Sequence, residues 1–569
     1  MRNVKSILTN FVATHWHPTM KKIAILFFLV LAQLSFAQKR PNIVLVMADD
    51  LGYSDLTCYG GEISTPNLDR LAANGLRMNN FYNNARCCPT RASLLTGQYP
   101  QKVGLSINGN ALTRNGATIA ELLRTQGYQT AMVGKWHLSD DIQKAKAEDQ
   151  QKWLDHQAFL DEPFASLESY PVHRGFQKHY GIIWGVVDYF DPFSLVEGEK
   201  TIKELPEDYY ITDALHGKMQ EYLQEMQQNP EPFFMYLAYT APHWPIMARD
   251  EDIAKYDGVY DEGWDVLREK RYQRMLDLGL IDPKNTPLVP VMGQDDRTWE
   301  SLSEMEKQVE IRKMQTHAAM VESVDKGLGL LLSTLEAQGD LENTLIIFLA
   351  DNGASPEIPT RPGYDRSSQT RNGEDLVYQK DLSPALTGTR MSYTGIGSHW
   401  ANAVNTPYRY WKMESFEGGI HTPMIVHWPE GLAVEKGSFS SALGHVTDIL
   451  PTILDITHMT YPETYNGHEL TALDGQSLLP IFKDVQAEGR KTIFLEHAHG
   501  KALIKENMKI VQPTFKEEWE MYDLATDKNE VHNLANKQTE KLNEMIREWN
   551  NWFAEMKPYI HPRPGSGPH

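Results

Sequence analysis

Apolar residues gather in short, nearly unbroken runs at residues 42–48, 233–239, 344–350 and 424–428. A run of that length without polar alternation predicts a strand buried on both faces, because a half-exposed strand shows a period of two. Residues 128–133 predict a fifth strand. Helix signals lie between the runs. Thr65, Pro66 and Gly75 supply a cap, a first-turn proline and a stop, so the spacing predicts a helix over 65–75. Thr118 and Glu121 make a capping box for a second helix that ends at Gly127. Strands alternating with helices predict an α/β fold with a large, mostly parallel sheet sandwiched by helices.

This rhythm breaks twice. Residues 355–405 are rich in Gly, Ser, Thr, Arg and Tyr and keep no period, which marks a loop that is either functional or disordered. Beyond residue 485, short strand patterns crowd together at 492–496, 502–505, 508–511 and 518–523, ahead of an amphipathic stretch over 539–556. They predict an antiparallel meander followed by a helix. The expected division is a main domain over 38–485 and a smaller C-terminal subdomain over 486–569.

Ahead of the first strand, Lys21-Lys22, an apolar stretch from Ile23 to Ala32, and Ser35-Phe36-Ala37 follow one another in the order of a signal peptide. Residues 1–37 are therefore read as a targeting segment, and the polar stretch before Met20 suggests that translation starts there. The apolar stretch is too short to span a bilayer comfortably, and no later run is long enough for a membrane helix. The product is expected to be exported, periplasmic or secreted, without stable membrane insertion. The chain carries 55 basic and 75 acidic residues, a net charge of −20. Removal of residues 1–37, which hold Arg2, Lys5, Lys21 and Lys22 and no acid, shifts it to −24. No global positive field remains to attract phosphates, which excludes bulk nucleic-acid binding. Cys58, Cys87 and Cys88 are too few for a disulfide framework, and no CxxC pair suggests a zinc site.

In open α/β sheets, ligands bind beyond the carboxyl ends of the strands. Asp49-Asp50 follows the first predicted strand, and Lys135 and His137 follow the strand at 128–133. His243 follows the strand at 233–239, and Asp351-Asn352-Gly353 follows that at 344–350. Singly, each has a bland reading as a turn former, a packed histidine or a surface lysine. Together, three carboxylates and a carboxamide at neighbouring strand ends repel unless a cation sits among them, and all-oxygen donors favour Ca²⁺ or Mg²⁺ over zinc. Lys135, His137 and His243 then suit an anionic substrate. Cys87 and Cys88 precede a predicted helix with Arg91 one turn on, an electropositive position suited to anions and nucleophiles. The competing reading is two buried structural cysteines.

Cys87-x-Pro89-x-Arg91, followed by Leu95-Thr96-Gly97, resembles the signature of the type I sulfatases of the alkaline-phosphatase-like superfamily. The register selects Cys87, since Pro at +2 and Arg at +4 hold for it and not for Cys88. The resemblance extends, in family order, over Pro41 to Gly52, Gly134-Lys135-Trp136-His137, Pro242-His243-Trp244, Asp351-Asn352-Gly353, Asn405 to Arg409, Lys412, Glu417-Gly418-Gly419, and Tyr522 to Asp527. Arg174-Gly175-Phe176 and Tyr189-Phe190-Asp191 are similar to bacterial arylsulfatase-like members.

This resemblance implies that Cys87 is converted to formylglycine (3-oxoalanine) by a formylglycine-generating maturation enzyme. It further implies one calcium ion held by Asp49, Asp50, Asp351, Asn352 and the modified Cys87. Arg91, Lys135 and Lys412 would stabilise the hydrated aldehyde and the sulfate oxygens, His137 would act as base on the diol, and His243 would contact or protonate the leaving oxygen. The implied activity is sulfuric ester hydrolysis, with a sulfated polysaccharide or oligosaccharide as substrate and aryl sulfates as surrogates. Phosphate or phosphonate ester hydrolysis, and non-catalytic sulfoglycan binding with Cys87 unmodified, are the alternatives. Two departures stand out. Phe416 replaces a His often found before Glu-Gly-Gly and is expected to alter the pocket lining, while Glu496-His497-Ala498-His499 would bring His497 or His499 near the substrate. Arg361, Arg366, Arg371 and Arg390 of the irregular segment are expected either at the pocket mouth, attracting a polyanion, or as solvated loop charges.

Overall fold

The computed structural model describes residues 40–560 apart from 498 and 499, so the expected targeting segment lies outside the described residues. One ten-stranded sheet dominates. Its strands are β1 (Asn42–Ala48), β2 (Leu76–Met78), β3 (Gln129–Gly134), β4 (Lys178–Ile182), β5 (Leu195–Glu197), β6 (Lys200–Thr201), β7 (Phe233–Ala238), β8 (Thr344–Ala350), β9 (Met424–His427) and β10 (Ser438–Ser440). The spatial order is β10-β2-β9-β8-β1-β7-β3-β4-β5-β6. The central five, β8-β1-β7-β3-β4, run parallel. β9 runs antiparallel to β8, and β5 antiparallel to β4.

The apolar runs are explained by burial on both faces. Val44, Val46 and Ala48 of β1 face one hydrophobic cluster, while Ile43, Leu45 and Met47 face the other. β8 divides in the same way, with Ile346 and Phe348 on one side and Leu345, Ile347 and Leu349 on the other. Helices cover both clusters. They include α1 (Pro66–Ala73), α2 (Cys87–Thr96), α3 (Ile119–Thr125), α4 (Ile211–Met226), α5 (Glu304–Gln338) and α6 (Gly397–Val404). The capping box opening α3 forms as the spacing predicts, with Thr118 Oγ1 accepting from Glu121 N at 3.1 Å and Glu121 Oε2 accepting from Thr118 N at 2.7 Å.

Register sets the site. Ala48 lies opposite Ala350, so Asp49-Asp50 and Asp351-Asn352 leave adjacent strands side by side. Gly134 lies opposite Ala238 and brings Lys135 and His137 beside the loop that holds His243. A Cβ at Gly134, whose φ is +115°, would lie 1.8 Å from the Ala238 carbonyl oxygen, so this strand end requires glycine.

A separate four-stranded antiparallel sheet follows, with β11 (Thr492–His497), β12 (Gly500–Lys505), β13 (Met508–Gln512) and β14 (Glu520–Asp523) in sequence order. One face, with Leu503, Ile510 and Met521, packs on Met545, Trp549, Trp552 and Met556 of α7 (Thr539–Met556). The other, with Ile493, Ala502, Ile504 and Val511, packs on Phe416 and Ile420. Phe416 stacks on Tyr410 with ring centroids 4.3 Å apart. It is part of this seam and does not line the narrow cavity at Cys87, contrary to the sequence expectation, because the meander presents an apolar face at that point. The irregular segment also ends in an unanticipated helix, α6. Among the described residues, no helix is long and apolar enough to cross a membrane.

Candidate active site

Cys87 is the first residue of α2, and every residue of that helix is buried. The approach to it is anchored by Asn84, whose side-chain amide donates to Pro89 O at 3.2 Å and Ser93 Oγ at 2.9 Å. Pro89 occupies the first turn, where its missing N–H costs nothing. Cys87 Sγ lies 3.3 Å from His137 Nδ1. Asp50 and His137 both have positive φ, 63° and 55°, the kind of strain that concentrates where side chains must be aimed.

Each carboxylate at the strand ends faces a cation. Lys135 Nζ lies 2.5 Å from Asp49 Oδ2, Arg91 Nη2 lies 2.7 Å from Asp351 Oδ2, and Lys412 Nζ lies 2.9 Å from Asp50 Oδ1. Arg91 Nη1 also donates to Lys135 O at 2.9 Å, tying α2 to the loop after β3. Asn352 Nδ2 donates to Asp50 Oδ1 at 2.6 Å. Even so, burial raises the Asp50 carboxyl to about 7, with Asp49 and Asp351 adding to the rise against Lys412. Burial and Asp49 likewise raise Asp351 to about 6 despite Arg91. Burial, more than any lack of cations, makes the ionised carboxylates costly here.

Two buried oxygens, Asp49 Oδ1 and Asn352 Oδ1, have no hydrogen-bond partner. Donor atoms of Asp49, Cys87 and Asp351 lie within 4.8 Å of one another, as do those of Asp49, Asp50 and His243. Unpaired buried oxygens are costly, and a hard divalent cation would satisfy them. These residues fit a metal.

His243 Nδ1 is 2.5 Å from Trp244 O, which assigns the proton to Nδ1 and leaves Nε2 facing Lys412 Nζ at 3.2 Å. Burial, then Lys412 and Lys135, push His243 well below the usual imidazole range. Burial, then Lys135 and Arg91, do the same to His137. Both rings are neutral near pH 7 and able to accept a proton. The Cys87 thiol is raised by burial in spite of Lys135 and Lys412, so an unmodified Cys87 is a weak nucleophile.

A narrow cavity of about 100 Å³ reaches Cys87, His137, His243 and Lys412. A larger one of about 500 Å³, lined by Tyr82, Glu417, His421 and Lys528, holds none of the strand-end residues. Sequence reasoning missed several residues that wall the narrow cavity, among them Arg86, Asp141, Trp184, Glu357, Tyr364 and Asp365. Glu357 lies 3.5 Å from Lys412 Nζ and accepts from Trp244 Nε1 at 3.0 Å. Its place six residues after Asp351 was the one available hint. Arg86 Nη1 lies 3.3 Å from His497 Nε2, so His497 stands just behind the wall, while His499 lies outside the described residues.

None of Arg361, Arg366, Arg371 and Arg390 is among the described residues lining this cavity. Arg371 is captured by Asp191, Arg390 lies 5.7 Å from the Phe190 ring centre, and Arg361 is exposed. The irregular segment contributes two acids and a tyrosine to the wall in their place.

Gly185 packs on the His137 ring. A Cβ there would lie 2.3 Å from Cε1 and 2.4 Å from Nε2. Gly185→Ala is expected to swing the ring off Cys87 and lower kcat/KM about 100-fold with little change in thermal stability, since small misplacements cost that much. Kinetics beside a thermal melt would check it. A variant with wild-type activity would show that the ring position does not matter.

The chain belongs to the sulfatase family, the sulfuric ester hydrolases: the sulfatase family model matches residues 41–459, and the model for the N-sulphoglucosamine sulphohydrolase C-terminal region matches 408–556. It is 31% identical to an uncharacterized sulfatase of Schizosaccharomyces pombe, over 91% of this chain and 94% of that one. It is 33% identical to an arylsulfatase of Klebsiella aerogenes, over 78% and 92%. A solved structure in complex with its substrate D-glucosamine-2-N,6-O-disulfate superposes with a TM-score of 0.60 at 23% identity, covering 91% of this chain and 99% of that one.

Proposed function

We propose that this sulfatase removes sulfate from a sulfated carbohydrate, with aryl sulfates as surrogates, using Cys87 converted to formylglycine and one calcium ion. The observation that carries the reading is the convergence on Cys87 of His137, the cations Arg91, Lys135 and Lys412, and the carboxylates of Asp49 and Asp351, with the partnerless Asp49 and Asn352 oxygens in the same cluster. Asp49, Asp50, Asp351, Asn352 and residue 87 would hold the calcium, which adds positive charge beside the sulfate oxygens. As a formylglycine hydrate, residue 87 would supply one hydroxyl to attack sulfur and a second to expel sulfate, which a plain Cys or Ser lacks.

The remaining steps belong to the chain's own side chains. Lys412, on the cavity wall, orients the sulfate, and Arg91 and Lys135, buried behind it, add their positive charge to a preorganised site. His137 Nδ1, 3.3 Å from the residue-87 side chain, takes the proton of the attacking hydroxyl. His243 Nε2 and Lys412 Nζ, 3.2 Å apart, share a proton that is handed to the leaving oxygen. We assign this chemistry to residues 38–485, with 486–569 as the C-terminal subdomain. We also assign export to the periplasm or beyond, from the signal-like pattern in residues 1–37, and maturation to a formylglycine-generating enzyme.

Mass spectrometry of the Cys87 peptide, together with sulfate release from defined sulfated oligosaccharides, tests the reading. An active enzyme with an intact thiol at Cys87 would overturn it, as would preferential turnover of phosphonate esters or sulfoglycan binding without release.

A pH effect follows from the carboxylates. Asp50 at about 7 and Asp351 at about 6 stand above the ordinary 3.8, so the metal-free folded chain holds protons that the unfolded chain has released. Their contribution to metal-free stability is present at low pH and is lost as pH rises towards about 7. Calcium requires the deprotonated forms, so its affinity falls as pH drops through the same window. The calcium-dependent gain in Tm is therefore expected to be larger at about pH 8 than at about pH 5. Paired melts with and without calcium would show it, and an equal gain at both would contradict it.

A further inference from the structure

Beyond the strand-end residues, the narrow cavity is walled by carboxylates and aromatic rings. Asp141 lies four residues after His137, and its Oδ2 accepts from Tyr364 Oη at 2.7 Å. Tyr364 and Asp365 sit in a tight turn in which Gly363 N donates to Arg366 O at 3.0 Å and Arg366 N to Gly363 O at 3.1 Å. Gln150 Nε2 clamps that turn by donating to Tyr364 O at 3.0 Å. The indole of Trp184 is fixed by its donation to Phe164 O at 2.7 Å. Burial, offset in part by Arg366 at 3.6 Å, together with the fields of Asp141 and Glu357, raises the Asp365 carboxyl to about 6. The three acids sense one another across one small space.

We propose that Asp141 and Asp365 select a singly sulfated sugar unit bearing a hydroxyl or amine beside the scissile ester, and that they exclude a second sulfate at that position. The inference rests on the sulfatase reading of the site and deepens it. Carboxylates accept hydrogen bonds from hydroxyl or ammonium donors, and the fixed face of Trp184 offers a platform for the ring. A sulfate placed there would meet like charges at the partly exposed mouth of the cavity. Arg86 and Lys412 are the cations on the wall, and Lys412 is already paired with Asp50 and Glu357.

The test uses aryl sulfates, so that it does not depend on knowing the sugar. Phenyl sulfates carrying an ammoniomethyl, hydroxymethyl or sulfonatomethyl group beside the ester differ in charge while the methylene insulates the leaving group. With formylglycine-bearing, calcium-loaded enzyme, and each KM referred to that of phenyl sulfate, the sulfonate is expected to bind at least about tenfold more weakly than the ammonium compound, with the hydroxymethyl compound between them. Asp141→Asn and Asp365→Asn should each narrow the spread, and the double variant should reduce it to about twofold. A wild-type enzyme that binds the sulfonate as well as the ammonium compound would overturn the proposal, and so would a spread that survives in the double variant. Failure of the wild type to hydrolyse even phenyl sulfate would overturn the mechanism beneath it, and the inference with it.

Discussion

Cys87→Ala is expected to lower kcat/KM for every sulfate ester by about 10⁵-fold or more while leaving Tm within a few degrees of the wild type. The residue is buried at the start of α2, and its thiol points at His137 across 3.3 Å in the cavity that also reaches Lys412. Removing it deletes the proposed nucleophile precursor and leaves the helix, its Pro89 and the Asn84 anchor in place. Cys88→Ser makes the opposite change. Cys88 is 1% exposed and sits in the apolar cluster with Ala92, Leu94 and Leu95. A hydroxyl there costs about 1–3 kcal/mol unless it finds a partner, so Tm should fall while activity per folded molecule persists. The two adjacent cysteines thus separate catalysis from packing. Unmodified protein should behave like Cys87→Ala: folded and nearly inactive. Substantial turnover by Cys87→Ala would remove the nucleophile from the mechanism, whatever the other residues do.

Residues that follow an apolar run were legible in the sequence, because a doubly buried strand leaves no doubt about where it ends. Asp49, Asp50, Asp351 and Asn352 could be placed at neighbouring strand ends on that ground, and β1 and β8 do pair in register from Asn42 with Thr344 to Ala48 with Ala350. Strand direction was not legible. Met424–His427 reads like the parallel strands and yet lies antiparallel to β8, since an apolar run buried on both faces carries no mark of its orientation. β4 escaped notice because His179 and Gly181 interrupt its pattern. α5 was seen only as helical material. Its buried face carries Glu310 with Lys313, His317 against Asp55, and Asp325 accepting from the Asn67 and Leu68 amides at the start of α1. These buried polar pairs blur the apolar stripe by which a long helix is recognised. The capping box at Ser303 and Glu306 and the stop at Gly339 were in plain sight. The outer wall of the pocket was the least legible part. Asp141, Tyr364 and Asp365 meet only through long-range bonds, such as Gln150 Nε2 to the Tyr364 carbonyl and Ser368 N to Asp155 Oδ1 at 2.6 Å, that no local pattern announces. Charge alone left Arg371 open between that mouth and a solvated loop, and Asp191 takes it elsewhere.

Asp351→Ala is expected to abolish metal binding and activity together and to destabilise the fold by about 3–5 kcal/mol, more than either neighbour would. The stability loss comes from Arg91. Its guanidinium is fully buried and reaches Asp351 Oδ2 through Nε at 3.1 Å and Nη2 at 2.7 Å, while Asp49 stands farther off at 3.6 Å and is engaged by Lys135 at 2.5 Å. Truncation leaves a buried cation with the Lys135 carbonyl and one distant carboxylate as partners. Asn352→Ala provides the contrast. It removes Oδ1, one of the two partnerless oxygens, and a hydrogen bond to Asp50, but it strands no charge. Calcium affinity and activity should fall with only a small change in metal-free Tm. Comparing the melts of both variants without metal isolates the Arg91 term, and elemental analysis of the active wild type counts the ion. Zinc in place of calcium, or full activity without a divalent ion, would refute the metal assignment. If Asp351→Ala retained the metal-free Tm of Asn352→Ala, that would show Arg91 to be held by something other than the Asp351 carboxylate.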